Sequence, residues 1–414
     1  MDNSIQYLDL EKDKPTLDSV AEYTHVEEDR YLVSLAEGGS MVYINSNTYH
    51  LLRLVDGKNT YVDISELLCA QTGVLVSPKN VYSLIHSSSI SAILSGGNRQ
   101  LVSTKSTIDN IKLKIILIPD KYVYILCKKL AILYNISVFP KILTLSILFN
   151  FCYAINLYLL HESKHPLGRY DLLLAYLIIM ATVLLHELGH AAACVANKIK
   201  PGGIGFGFYL ISPVFFADVT EAWRLDSKKR LVVDFGGIYI DMLICAFFNA
   251  YLMYCYNDFL FKIVIAKLLI TLANLNPFLR FDGYWILSDF LNIQNMRKKS
   301  NECLRLLVNK LLSLRFSEKV SKRQIFLGFY SAVSWLMICS FLTFALTNHF
   351  QDIVRLPINI WIAVNSLFGV SVPFTDALVQ VRKLIMPTVF YYFLFTLITP
   401  YGQKISQFFS TTKS

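Results

Sequence analysis

The stretch "TVLLHELGHAAACV", residues 182–195, sets two histidines and a glutamate within five positions of an otherwise apolar run. An unpartnered ionisable group at bilayer depth costs roughly several kcal/mol. A chain carrying this run must therefore supply a cation, a partner or water at that point. The rest of the composition shows that the run belongs to a membrane protein. Of 414 residues, 54% are hydrophobic and 17% charged, against about a quarter charged in soluble proteins. Mean hydropathy is positive. The formal charge of +9 comes from Lys and Arg clustered beside apolar runs, where they set membrane topology. It does not indicate nucleic-acid binding.

No cleavable signal peptide is expected, because "MDNSIQYLDLEKDKPTLDSV" is polar and lacks an apolar core. The eight cysteines are scattered singly, with no C-x-x-C, so neither a disulfide framework nor a cysteine zinc site is indicated.

Residues 1–100 read as a soluble, winged-helix-like α/β domain. "RYLVSLA" and "SMVYI" predict two strands joined at "EGG". A helix starts at Ser46 and stops at Gly57, and a second has Asp63 as N-cap and Gly73 as stop. A third carries Pro78 in its first turn, and "SGGNRQ" reads as a linker. Residues 101–140 are apolar but studded with lysines, which predicts interfacial linker helices.

Spans are predicted near 141–160, 170–195, 231–256, 259–277 and 324–347. One or two more fit between 353 and 400, where Pro357, Pro373, Pro387 and Pro400 complicate the pattern. The expected fold is thus a multi-pass α-helical membrane protein of about six or seven spans, its core at 141–300 and C-terminal spans at 301–414. The 196–230 loop holds Lys198, Lys200, Arg224, Lys228, Lys229 and Arg230, and the 280–323 loop holds ten Lys or Arg. The positive-inside rule makes both loops cytoplasmic, and the N-terminal domain with them. The expected location is the cell membrane.

In "HELGH", His186 and His190 lie four apart. On a helix they share a face and can reach one metal ion. Glu187 can then take a proton from a water that zinc makes more acidic. Two histidines leave a tetrahedral site short of a protein ligand. "NLNPFLRFDGYW" offers Asp282, just past a helix end broken at Pro277. Both Asp282 and the HELGH motif fall towards the cytoplasmic side by the loop charges.

HELGH together with N-x-x-P-x-x-x-x-D-G, residues 274–283, resembles the site-2 protease family of intramembrane zinc metallopeptidases. The resemblance implies His186, His190 and Asp282 as Zn2+ ligands, Glu187 as general base, and Asn274 as a contact for substrate backbone or oxyanion. "GGIGFGFYLISPVFFADV" is similar to the family's membrane-dipping β-hairpin, which can hold substrate as an added strand. "VDFGGIYIDML" stands where many members read Gly-Pro followed by Asn; this chain has Gly237-Ile238 and Asp241. A role in tuning the site and a structural role are both open for Asp241.

"FADVTEAWRLDSKKR" resembles the peptide zinc metalloprotease branch of that family, and the N-terminal domain resembles PqqD-like domains that bind precursor-peptide leaders. The implied function is cleavage of a bacteriocin-like, ribosomally made and modified precursor peptide at the cytoplasmic side of the bilayer. The implied partners are that peptide, the lipid bilayer, and a peptide-modifying enzyme or ABC exporter. Two alternatives are regulated intramembrane proteolysis of a signalling protein, and a non-catalytic membrane export or immunity protein. His161 and His165 read as ordinary outer-loop histidines.

Overall fold

The computed structural model describes residues 10–16, 21–27, 30–35, 41–86 except 74, 111–160 except 136, 168–209, 212–313, 320–368 and most of 379–394. The "EGG" turn, the "SGGNRQ" linker, His161, His165, Pro373 and Pro400 lie outside the described residues.

The N-terminal domain has three strands where two are predicted. β1 (Ala21–Glu27), β2 (Arg30–Leu35) and β3 (Met41–Asn45) form an antiparallel sheet in that order. "AEYTHVE" escapes the sequence pattern because its apolar residues do not form a run; Tyr23 instead packs edge-on to Tyr49. Three helices follow as predicted, with different caps: α1 (Ser46–Arg53), α2 (Tyr61–Thr72) and α3 (Pro78–Ile85). Asn45 caps α1, accepting from the Thr48 amide. Thr60 caps α2, and Asp63 is the third residue of a reciprocal capping box. Gly73 ends α2 with φ 70°, a left-handed conformation that favours glycine. Leu52, Ile64, Val81 and Ile85 are buried together against Val33.

A strand corrects the prediction of linker helices throughout 101–140. β4 (Ile111–Ile118) pairs antiparallel with β5 (Ile204–Tyr209), which pairs with β6 (Ser212–Ala217). The β5–β6 hairpin is the one expected from "GFGFYLISPVFF". Its neighbour β4 was hidden by lysines that read as interfacial punctuation. Residues 120–130 do form a helix, α4 (Asp120–Leu130). It buries Val123 and Cys127 and exposes Tyr122, Ile125 and Leu126, the distribution of a helix lying at an apolar surface.

The remainder is helical: α5 (Phe139–Leu160), α6 (Arg169–Ala196), α7 (Ser227–Asp234), α8 (Gly236–Tyr254), α9 (Asp258–Asn274), α10 (Asp282–Phe290), α11 (Met296–Ser313), α12 (Lys322–Asn348), α13 (Phe350–Val354) and α14 (Leu356–Phe368). Three helices, α6, α8 and α12, are long and apolar enough to cross a membrane. A fourth span results if α4 and α5, bent by 82° at their break, count as one. The predicted 231–256 span is divided: α7 ends at Asp234 and α8 begins at Gly236. The predicted 259–277 span is the 17-residue α9, and Asp258, Lys262 and Lys267 lower its apolar character.

α6 and α8 cross at a glycine contact. A Cβ on Gly189 would strike the Gly236 carbonyl, and a Cβ on Gly236 would meet the Gly189 backbone 2.8 Å away. Small residues at a helix crossing let backbones approach this closely. Tyr134 donates to the Gly236 carbonyl at 2.8 Å, which pins the segment before α5 to the same crossing.

Candidate metal centre

α6 is 28 residues long, about 42 Å at 1.5 Å per residue. Counted from Arg169, His186 lies about 26 Å and His190 about 32 Å along the helix. The hydrocarbon layer is about 30 Å thick, so the helix is long enough to bring the motif to one edge of it. Both histidines are buried.

Each imidazole is oriented through its other nitrogen. His190 Nδ1 lies 2.7 Å from the Val233 carbonyl, in the last turn of α7. A carbonyl only accepts, so Nδ1 carries the hydrogen and the neutral ring leaves a lone pair on Nε2. His186 Nδ1 donates to Asp241 Oδ2 at 2.9 Å, again freeing Nε2. The two Nε2 atoms are 3.2 Å apart.

Asp282, the first residue of α10, completes the cluster. Its Oδ2 is 3.0 Å from His186 Nε2, and its Oδ1 is 3.6 Å from His190 Nε2. Oδ2 is buried and receives no hydrogen bond. With both Nδ1 atoms donating, the two Nε2 lone pairs and the Asp282 carboxylate face one another, an arrangement that a cation would satisfy.

The spacing fits zinc. Ligand bonds of about 2.0–2.1 Å in tetrahedral geometry set donor atoms about 3.3 Å apart. The distances of 3.0, 3.2 and 3.6 Å bracket that value. Among the described residues, His186, His190 and Asp282 are the one group of His, Cys or acidic side chains whose donor atoms lie close enough together to hold a metal ion. The fold therefore brings together the three residues that the sequence singled out.

Glu187 is half-buried beside the cluster and accepts from the Ala217 amide at 2.7 Å. Ala217 ends β6, whose only strand partner among the described residues is β5. Glu187 therefore links the metal site to the hairpin. Asn274 closes α9 half-buried, but it is not among the side chains hydrogen-bonded into the cluster. Gly283 allows the turn before α10 to close, since a Cβ there would strike the Leu275 carbonyl.

Asp241 is fully buried and accepts from His186 Nδ1, so it holds one ring of the cluster in place. Its carboxylate also takes a hydrogen bond from Thr271 Oγ1 at 2.9 Å and an ion pair from Lys267 Nζ at 2.6 Å. Neither Lys267 nor Thr271 was identified from sequence. The available signal was a lysine near the middle of an apolar run. Arg230 and Asp289 were also missed as a pair; they bind α7 to α10 in the interior. The apposition of N-terminal domain and core was likewise unread. Tyr43 donates to the Trp223 carbonyl and accepts from Arg230, while Arg30 donates to Asn292 at 2.6 Å.

Comparison with protein-family models, with curated proteins and with solved structures finds no match to this chain.

Proposed function

We propose that the protein is a membrane-embedded zinc endopeptidase that cleaves a precursor peptide at the edge of the bilayer. The observation that carries this reading is the triangle of His186 Nε2, His190 Nε2 and Asp282, three acceptors at tetrahedral spacing with Glu187 beside them. Zinc, when bound by these three residues, supplies Lewis acidity and activates water at neutral pH.

The chain's own groups account for the rest. Glu187 accepts a proton from the attacking water and returns it to the departing amine. The β5–β6 hairpin offers a backbone edge on which an extended peptide can lie as an added strand. The Ala217 amide holds the Glu187 carboxylate at the end of that hairpin. Asp241 of α8 and the Val233 carbonyl of α7 orient the two buried histidine rings. Asn274 is the proposed contact for substrate backbone. The proposed topology is multi-pass, of about six or seven spans, in the cell membrane, with the N-terminal domain on the cytoplasmic side as a PqqD-like peptide-capturing unit. The resemblance to the peptide zinc metalloprotease branch supports a bacteriocin-like modified peptide as substrate, handed on to a modifying enzyme or exporter.

Mass spectrometry of candidate precursor peptides incubated with purified wild-type and Glu187→Gln protein tests the reading. Wild-type protein should cut and the variant should keep its zinc but not cut. Equal cleavage by both would remove Glu187 from the mechanism, and an absence of stoichiometric zinc from wild-type protein would remove the reading altogether.

A further inference from the structure

Asp241 is fully buried on α8 and gathers groups from two other helices. His186 of α6 donates from Nδ1 at 2.9 Å, Thr271 of α9 donates from Oγ1 at 2.9 Å, and the Lys267 ammonium of α9 lies 2.6 Å away. The lysine itself is 2% exposed. A buried lysine on an apolar helix is costly, and a buried ion pair is weak evidence for stability alone, since apolar residues of similar volume often serve as well. The pair therefore calls for a reason other than holding helices together.

Charge balance gives one. Glu187, Asp241 and Asp282 stand beside the two histidine rings, while the buried Asp234 carboxyl faces the Arg230–Asp289 pair instead. Of the three carboxylates beside the rings, a divalent ion offsets two, and Lys267 offsets the third. Asp241 can then remain a carboxylate that supports a ligand ring without adding net charge to the interior. Thr271 is itself fixed: its Oγ1 lies 2.9 Å from both Asp241 Oδ2 and the Lys267 carbonyl, so its one hydroxyl hydrogen is shared between them. One turn of α9 thus carries both groups that orient the carboxylate.

We propose that Lys267 is a positioning residue for the metal centre: as the matched counter-charge of Asp241, it fixes the carboxylate that aims His186 Nε2 at the ion. The inference rests on the reading of His186 as a zinc ligand. It predicts that the two positions are interdependent, so that a neutral amide at 241 is compatible with a neutral side chain at 267 and incompatible with a lysine there.

The experiment compares full-length wild type, Asp241→Asn, Lys267→Met and the double variant in detergent. Zinc affinity is measured by chelator competition, the cobalt-substituted site by its visible spectrum, and the metal-free protein by thermal unfolding. Changes in groups that orient a ligand typically cost about ten- to a hundred-fold in metal affinity, and each single variant should lose that much. Asp241→Asn leaves an unpaired ammonium near the ion, and Lys267→Met frees one edge of the carboxylate. The double variant removes the ammonium and keeps an amide oxygen for His186, so it should recover most of the loss and a wild-type-like cobalt spectrum. If a single variant yields no folded protein, recovery of folded, zinc-binding double variant carries the same information. Losses that simply multiply in the double variant, or a Lys267→Met protein with wild-type affinity and spectrum, would overturn the pairing. Wild-type protein without zinc defeats the metal reading instead, while coupling in metal-free unfolding would still register the ion pair.

Discussion

Arg230 and Asp289 form a buried two-point ion pair, Nε to Oδ2 at 2.5 Å and Nη2 to Oδ1 at 2.8 Å, with both side chains under a tenth exposed. The pair joins α7 to α10. α7 supplies the Val233 carbonyl that orients His190, and α10 begins with Asp282. One side-chain contact therefore sets the spacing between the carbonyl that orients His190 and the start of α10 at Asp282. Removing one member of a buried pair costs about 3–5 kcal/mol, because the other charge is left unpaired. Asp289→Ala should lower the unfolding midpoint in detergent and weaken zinc binding together. A variant that lost stability but kept full zinc affinity would show that the pair does not control ligand spacing.

Tyr43 extends this contact to the N-terminal domain, as its hydroxyl bridges the Trp223 carbonyl and the Arg230 guanidinium. Tyr43→Phe removes two hydrogen bonds, each worth about 1 kcal/mol, and leaves Arg230 its bonds to Asp289 and the Leu225 carbonyl. Hydrogen exchange should speed up in β3 and around residues 220–224 while the metal site keeps its zinc. Burial pushes the Tyr43 phenol from its ordinary 10.0 up to about 12, against the opposing pull of Arg230. A raised folded value means that the neutral hydroxyl supports docking fully below the ordinary value of 10.0 and loses that support as pH rises through about 12. Exchange in β3 that is constant across that range would count against this contact.

The three residues of the candidate metal site were legible in the sequence because their constraint is short in the chain or marked by a break. His186 and His190 follow from helical spacing, and Asp282 from the break at Pro277. Lys267 and Arg230 were not legible as partners. Lys267 looks like an interruption of an apolar run, and Arg230 like one more charge in a basic loop. Their carboxylate partners come from other helices, and only tertiary packing selects them. β4 was misread for a related reason: pairing with β5 is a distant contact, whereas the lysines are a local signal.

Zinc itself should stabilise the fold, because the triangle exists only when α6 and α10 are in place. A ligand bound at a hundred times its Kd adds about 2.7 kcal/mol. Chelation should therefore lower the unfolding midpoint of wild-type protein, and the effect should vanish in His186→Ala and Asp282→Ala. Identical chelator shifts in wild type and both variants would place the metal elsewhere.

Gly237 gives the sharpest steric test. A Cβ built there falls on the His186 ring, against Nε2, Cδ2 and Cε1, whereas a Cβ on Gly168 meets only Asp171 Oδ2 at 3.4 Å. The ring cannot yield without leaving Asp241, since Nδ1 is held at 2.9 Å on its other side. Gly237→Ala should thus cost about 1–3 kcal/mol of stability through overpacking and displace Nε2 from the triangle. Zinc content should fall well below one per chain even in correctly folded protein, while Gly168→Ala should bind zinc as wild type does. Gly189→Ala separates the backbones instead, since its Cβ meets the Gly236 carbonyl, and should lower folded yield before it alters metal content in what folds. A Gly237→Ala protein with full zinc occupancy would require His186 to ligate in another orientation, and the roles of Asp241 and Lys267 would then have to be drawn differently.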